Sequence, residues 1–464
     1  NRARADDNRI RLMPRNPIRG RILDRHGAVL ATSRLTYNLY LQPQLVSDRQ
    51  WPPLRDRLAQ VVQIPAATLD QKHRSGANPE GFRIPLATGL SGAQVLRFRE
   101  QAEALKGAEV DVDVLRSYPH GRLGAHVLGY TSGITEDEYR QLEAKGYRIR
   151  DRVGRSGVEK AYEAILRGQW GGQQVEVNAA GQVQRILGDK PAQPGHDLRL
   201  TLDLPLQQAA ERALDGVRKG AIVAMDPQTG AIRAIASRPT FDPNLFSDGP
   251  TSSQWASLNA PEAPLLNRAF QGFPPASTFK LVSTIAALES GKFSADSKLM
   301  TMHSFCYAGL CYGDHAALGM IGFPMALAVS SNTFFYQVGL KVGPTELFKA
   351  ARRIGYGSPT GLELRDEETS GLLGDPAWKQ RVLGESWTPV DTITSAIGQG
   401  ALQVTPIQMA RLYAAVANGG WLVTPHVVER PVERRWIGLK AATLRTLRKG
   451  LRMVVTQGTA TILN

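Results

Sequence analysis

Phe273-Pro-Pro-Ala-Ser277-Thr-Phe-Lys280 runs straight into the apolar stretch Leu281-Val-Ser-Thr-Ile-Ala-Ala-Leu288, with Gly291 just beyond. The spacing predicts a helix over 277–288 that Gly291 ends. Residues three apart on a helix share a face, so the Lys280 amine is within reach of the Ser277 hydroxyl and, once desolvated, is able to take its proton. A serine in the first turn also lies beside unpaired backbone N–H groups and a positive dipole end, which suit an oxyanion formed in acyl transfer. The four-residue pattern alone reads more readily as an N-capping serine followed by a surface lysine.

Fifty-three residues after Ser277, Ala328-Val-Ser-Ser-Asn-Thr-Phe-Phe-Tyr336 contains Ser330-x-Asn332. Its hydroxyl could relay a proton, and its amide could hold a substrate peptide group. A second Ser-x-Asn, Ser257 to Asn259, shows how little the triplet means alone. Upstream, Gly220 to Ser237 reads as two strands joined by a turn at Asp226 to Gly230. Before it, a helix is expected from Asp203 to Gly220, with Leu206, Ala209, Ala210, Ala213, Leu214 and Val217 as its apolar face. Downstream, Thr405 to Val416 carries Pro406 at the first helical position and a Thr-x-x-Gln box to Gln408. A final helix, about 440–455, places Leu444, Leu447, Leu451 and Val454 inward and Arg445, Arg448, Lys449 and Arg452 outward.

The first 199 residues differ in character: polar, segmented and turn-rich. One helix is clear there, opened by a capping box from Ser91 to Gln94, with Val95, Phe98, Ala102 and Leu105 on its inner face and Gly107 as its stop. The expected organisation is a scaffold over 1–199 and an α+β domain over 200–464, without internal repeats.

Composition bounds the alternatives. A chain of 464 residues with 42% hydrophobic and 21% charged residues is an ordinary globular protein of more than one domain. No apolar run approaches the ~20 residues of a membrane span. The net charge of +14 favours anionic partners such as phospholipid surfaces or pyrophosphates. No zinc-finger spacing, RNA-binding aromatic signature or recognition-helix pattern accompanies it, so nucleic acid is not an expected partner. The chain opens on Asn1 and an Arg-rich stretch to Arg21 with no apolar segment of a signal peptide, and an N-terminal segment is expected to have been lost. Its two cysteines, Cys306 and Cys311, leave three readings open: a loop disulfide, a metal site completed by Asp314 and His315, or inert thiols. The eight histidines show no metal spacing, and His120 and His126 read as structural hydrogen-bonding groups.

Pro-Pro-x-Ser277-x-x-Lys280 followed by Ser330-x-Asn332 resembles the first two active-site motifs of penicillin-binding proteins. Arg19-Gly-x-Ile-x-Asp-Arg-x-Gly27, Arg116-x-Tyr-Pro-x-Gly121, Ala125-His-x-x-Gly-Tyr130 and Gly154-x-x-Gly-Val-Glu159 resemble the non-catalytic pedestal of the class B members. Asp226-Pro-x-Thr-Gly230, Asp242-Pro-Asn244, Asn332-Thr-Phe-Phe-Tyr-Gln337 and Ile397-Gly-Gln-Gly400 through Gln408 resemble their transpeptidase domain. Asn8-Arg-Ile-Arg-Leu-x-Pro14 resembles the elongation type more than the division type.

The resemblance implies an elongated pedestal of strands and short helices, then an antiparallel sheet with helices on both sides. It implies a D,D-transpeptidase that cross-links peptidoglycan stem peptides during cell elongation and is acylated by β-lactams. Ser277 would be the nucleophile, Lys280 its base and Ser330 the proton relay. Asn332 would orient the substrate, with Gln399 and Gly400, beside Asp391, at the wall of the site. No cofactor is required for that cycle, although some elongation-type relatives bind zinc near the cysteine-bearing segment. The implied partners are a membrane-embedded glycosyltransferase and the scaffold proteins of the elongation complex. The implied address is the periplasm, tethered to the inner membrane by one span, with Arg2 to Arg21 near anionic lipid. The alternatives are a D,D-carboxypeptidase or β-lactam sensor with the same serine and lysine, and a non-catalytic scaffold.

Two departures stand out. Ala276 occupies a position where the family usually has Gly. The third family motif, Lys-Thr-Gly or Lys-Ser-Gly, does not occur, and the chain is expected to have been cut short after Asn464, leaving the transpeptidase sheet incomplete at its C-terminus.

Overall fold

The computed structural model describes residues 10–43, 45–75, 84–149, 151–177, 183–315 and 317–464. The Arg2-to-Arg9 part of the basic N-terminal stretch, and the start of the Asn8 motif, lie outside them.

In the N-terminal part, strand Val29–Leu41 pairs antiparallel with both Ile84–Leu90 and Ala108–Ser117. Helices Trp51–Val62, Ala66–Ser75 and Gly92–Glu100 cover this sheet, with Leu39, Leu41, Leu58, Val62, Leu86 and Phe98 in the core between them. The capping box at Ser91 forms as the sequence reads, its hydroxyl receiving Gln94 N–H. The helix ends at Glu100, however, and a 3₁₀ turn Ala102–Leu105 follows, so Leu105 is buried while Ala102 faces solvent. The tighter turn rotates Ala102 off the helical face that the spacing assigns to it.

Three of the four pedestal-like motifs, those of Arg19, Arg116 and Glu159, converge on one buried ion cluster. Arg19 Nε and Arg116 Nε donate to the two carboxylate oxygens of Glu159, each at 2.6 Å. Arg19 also reaches Glu163 at 2.6 Å, Arg116 donates to Gly20 O at 2.7 Å, and Tyr118 Oη donates to Glu159 at 3.2 Å. Glu159 has no exposed surface; burial pushes its carboxyl up, but Arg116 and Arg19 overcome this and hold it below the usual range. Glycine is required beside the cluster: a Cβ on Gly20 would lie 2.0 Å from His196 O.

A continuous core crosses residue 200, joining Ile22, Tyr118, Val127 and Leu198 to Ile232, Phe270, Ile407 and Val427. The expected hairpin forms, Gly220–Met225 against Ile232–Arg238. The helix before it runs over Leu204–Ala213 and is rotated from the expected face. Leu206 and Val217 are exposed, whereas Gln207 is buried with Ala210 and Leu214. The Gln207 amide explains the rotation, donating to Ile235 O at 2.7 Å and accepting from Ile235 N at 2.9 Å, as a neighbouring strand would.

The second half of the chain packs its helices around one core. Lys280–Glu289 lies against Asn332–Arg353, which in turn packs on Pro389–Ala396. Phe279, Ile285, Phe323, Phe334, Phe335, Val338 and Leu412 are buried between them. Pro406–Ala417 forms with its Thr405–Gln408 capping box as the sequence reads. The last helix, Ala441–Gln457, buries Leu444, Leu447 and Gly450 and leaves Leu451 and Val454 half-buried. Its arginines face outward, but the Arg448 guanidinium donates to Val416 O and Ala417 O, both at 2.8 Å, and caps the C-terminal end of Pro406–Ala417.

Candidate active site

Ser277 stands in a 3₁₀ turn, Ala276–Phe279, that feeds directly into helix Lys280–Glu289. The turn is held from outside: Ala276 N donates to Gly398 O at 2.9 Å, and Phe273 exchanges two backbone bonds with Val404 at 2.8 and 3.0 Å. The segment 398–404 thus runs alongside 273–276. Buried Phe279 anchors the turn below. Ala276 holds a φ of +46°, the left-handed region in which glycine is at ease, which gives the departure at this position a physical meaning.

Ser277 is exposed and its hydroxyl has no hydrogen-bond partner among the described residues. Lys280 is its opposite, with 1% exposure. The Lys280 Nζ meets Ser330 O at 2.6 Å, Asn332 Oδ1 at 2.7 Å and Ser330 Oγ at 3.1 Å. The Phe335 ring centroid lies 5.8 Å away. Burial lowers the Lys280 pKa to about 8, partly opposed by the Asp314 charge. The sequence places the amine against Ser277; in the structure it turns to the Ser-x-Asn segment instead, because three oxygens converge there and an ammonium has three donors.

Ser330 and Asn332 flank Ser331, whose hydroxyl receives Phe334 N–H and caps helix Asn332–Arg353. Ser330 has a φ of +55°, which turns both its carbonyl and its hydroxyl toward Lys280. Lys280, Ser330 and Asn332 are therefore brought together.

Gln399 and Gly400 are exposed and make no hydrogen bond to this group. Their link to the Ser277 turn is Gly398: a Cβ there would lie 2.0 Å from Ala276 O. Gly400 lines a cleft of about 250 Å³ with Trp378, Lys379, Trp387 and Asp391. Asp391 belongs to a capping box with Thr388 and pairs with Lys379 at 2.8 Å, a local role.

The cysteine-bearing segment resolves the three open readings in favour of a disulfide. Cys306 and Cys311 are bonded across the hairpin Ser304–Tyr307/Leu310–Gly313. Asp314 is turned to Ser331 and Thr333, and His315 Nε2 lies 2.6 Å from Val329 O. With both sulfurs bonded to each other, Cys306, Cys311, Asp314 and His315 do not form a metal ligand set. His126 is a buried structural group, its Nε2 2.7 Å from Pro264 O, whereas His120 is exposed and its ring makes no hydrogen bond among the described residues.

Sequence reasoning missed Gly398 as the support of the Ser277 turn, and Asp314 as the carboxylate beside Lys280. A signal for the second exists in Ser331-Asn-Thr333, a hydroxyl-rich helix start suited to an acidic partner.

Residues 14–200 match the family model of the penicillin-binding protein dimerisation domain, and residues 220–464 that of the penicillin-binding protein transpeptidase domain. The peptidoglycan D,D-transpeptidase MrdA of Escherichia coli K12 is 38% identical over 441 residues, covering 93% of this chain and 69% of that protein. The structure of a complex between penicillin-binding protein 2 and MreC from Helicobacter pylori superposes with a TM-score of 0.86 at 26% identity, over 97% of this chain and 85% of that one. A peptidoglycan synthase complex, described as coordinating polymerization and crosslinking, contains a chain 33% identical with a TM-score of 0.76, over 98% of this chain and 79% of that one. With both domain models matched in order and the Ser277, Lys280, Ser330 and Asn332 motifs in the matched region, the chain belongs to the class B penicillin-binding proteins of the elongation type.

Proposed function

We propose that this protein is a peptidoglycan D,D-transpeptidase that cross-links stem peptides during cell elongation. The observation that carries the mechanism is the buried Lys280 amine, held by Ser330 and Asn332 one turn from the exposed, unbonded Ser277.

A neutral amine has two N–H donors and one lone pair. Ser330 O and Asn332 Oδ1 can only accept, so they take the two donors and leave the lone pair for a hydroxyl. Ser277 Oγ gives its proton to that lone pair as it attacks the carbonyl between the two terminal D-alanines. The C–N bond breaks, and the proton passes through Ser330 Oγ, 3.1 Å from Nζ, to the departing D-Ala amine. An amine from a neighbouring stem peptide then attacks the acyl ester, and its proton returns to Ser277. Asn332, with its amide at the mouth of the group, orients the stem peptide; Gln399 and Gly400 contribute to the wall on the side of Gly398. Every acid and base in the cycle is a side chain of this protein, so the cycle requires no cofactor. β-Lactams acylate the same Ser277.

On this reading residues 1–199 are the pedestal and 200–464 the transpeptidase domain. The pedestal meets membrane scaffold proteins and a glycosyltransferase, a reading supported by the MreC and synthase complexes of the similar structures. The site of action is the periplasmic face of the inner membrane, with one membrane span as tether. Among the described residues no helix is long and apolar enough to cross a membrane.

The test is intact-mass spectrometry of the full-length protein after incubation with a penicillin, beside Ser277→Ala. One covalent adduct that disappears in the variant is expected. An unmodified wild-type protein would sink the acyl-serine reading.

A further inference from the structure

The Ser330-Ser331-Asn332 turn has an unusual support. Ser330 holds its left-handed φ as the residue after the C-cap of helix Phe323–Ala328, where Ser330 N donates to Leu327 O at 3.2 Å and Ser331 N to Ala326 O at 3.0 Å. From outside the turn, the residues that follow Ser330 are held by Asp314, whose side chain has no exposed surface. Its Oδ2 accepts from Ser331 Oγ at 2.7 Å, Thr333 N at 2.8 Å and Thr333 Oγ1 at 2.9 Å. The residue on its C-terminal side, His315, reaches Val329 O at 2.6 Å, and the residue before it, Gly313, offers its carbonyl to Asn332 Nδ2 at 3.4 Å. Three consecutive residues thus hold 329–333 from one side, and Lys280 holds it from the other.

Asp314 is itself placed by the disulfide hairpin. Gly313 is the last residue of the strand Leu310–Gly313, and Cys306 pairs directly with Cys311 in the register. Phe305 and Tyr312, one from each strand, lie 6.1 and 5.7 Å from the Tyr336 ring, one turn into the helix that Asn332 begins. Asp314 N donates to His303 O at 2.9 Å and closes the base of the hairpin. The hairpin thus packs on the first turn of that helix through both of its strands.

We propose that Asp314 is a positioning residue of the acyl-transfer site: its buried carboxylate, held by the Cys306–Cys311 hairpin, fixes the turn that presents Ser330 and Asn332 to Lys280. The inference rests on the acyl-serine reading of Ser277. It assigns to the hairpin a function in catalysis that its distance in sequence from Ser277 conceals. Losing the carboxylate frees Ser331 and Thr333 to find other partners, and the Lys280 acceptors shift with them. Misplacement of a reacting group by about 1 Å costs on the order of 100-fold in rate, while penicillin binding before the chemical step depends little on it.

The experiment measures acylation of the full-length protein by a fluorescent penicillin, separating the non-covalent binding constant from the acylation rate constant. The set is wild type, Asp314→Ala, Asp314→Asn, the Cys306→Ser/Cys311→Ser pair and Ser277→Ala, each checked by melting temperature. Asp314→Ala is expected to lose at least about 10-fold in the rate constant with binding changed less than about threefold. Asp314→Asn keeps the shape and one acceptor, so it should recover part of that loss. The serine pair should acylate more slowly than wild type at an unchanged Ser277 target. A folded Asp314→Ala with a rate within twofold of wild type overturns the proposal. Should that variant fail to fold, wild-type rates in both Asp314→Asn and the cysteine pair overturn it equally. A wild-type protein that is never acylated overturns the parent reading and this inference with it, and is told apart because it appears before any Asp314 variant is compared.

Discussion

The carbonyl oxygen of Gly398 accepts the backbone N–H of Ala276 at 2.9 Å, and a Cβ on Gly398 would stand 2.0 Å from the carbonyl oxygen of Ala276. Both contacts bear on the residue immediately before Ser277. The segment 398–404 therefore acts as a rail for the Ser277 turn, and its glycine is a steric requirement at a left-handed φ of +77°.

Gly398→Ala is expected to push the nucleophile turn outward. The acylation rate constant should fall by about 10- to 100-fold while the helical circular-dichroism signal is kept. Stopped-flow acylation by a penicillin checks it, and a rate within threefold of wild type would show that the rail is dispensable.

Lys280 must be neutral to act as a base, and burial brings its pKa down to about 8. The neutral form is populated above that value, so acylation should climb through pH 6 to 8, about tenfold per unit at first, and level off above about pH 9. A pH profile of the second-order acylation rate tests this. A flat profile over that range, or a rate that declines as pH rises through 8, contradicts the assignment of Lys280 as base.

Glu159 joins Arg19 and Arg116 without exposure to water. Glu159→Gln removes the charge and leaves two guanidinium groups facing each other in the core, which should lower stability by about 3–5 kcal/mol. Urea denaturation of the two proteins measures it. A difference below about 1 kcal/mol would mean that the cluster is hydrated or that Glu163 takes over the pairing.

His126 is buried against Pro264 O and Phe241, and burial lowers its pKa to about 4. The unfolded chain binds the proton near pH 6.5, the folded one only near pH 4. The sign follows: the stability associated with the neutral ring is present above pH 6.5 and is lost as pH falls toward 4, on the order of 3 kcal/mol in all. Melting temperature followed from pH 7 to pH 4 should decline in wild type and decline less in His126→Asn. Parallel curves would rule His126 out as a source of acid sensitivity.

The Ser277-x-x-Lys280 and Ser330-x-Asn332 motifs, the Ser91 and Thr405 capping boxes and the 220–238 hairpin were all legible in the sequence. The capping boxes and the hairpin depend on contacts between residues near one another in the chain, and such contacts leave a fixed spacing, while the two site motifs are read from residue type and interval alone. What the spacing left undecided were relationships across long separations. Arg19 and Glu159 meet across 140 residues, and nothing local to either says so. Gln207 looks like a surface residue until Ile235 supplies both a donor and an acceptor for its amide.

The site divides along the same line. Residue types and intervals determined which side chains are proposed to carry the chemistry: a hydroxyl and an amine three apart, a second hydroxyl and an amide two apart. Only the tertiary structure decided where the amine points, that Cys306 and Cys311 bond to each other, and that Asp314 grips the Ser330 turn. Helical geometry offers Lys280 a face, but its three donors go to whichever acceptors the fold crowds around them, and those lie 50 and 52 residues downstream. The burial that lowers the pKa of that amine belongs to no single stretch of sequence, because the Phe335 ring and the Ser330 and Asn332 oxygens come to it from another part of the chain.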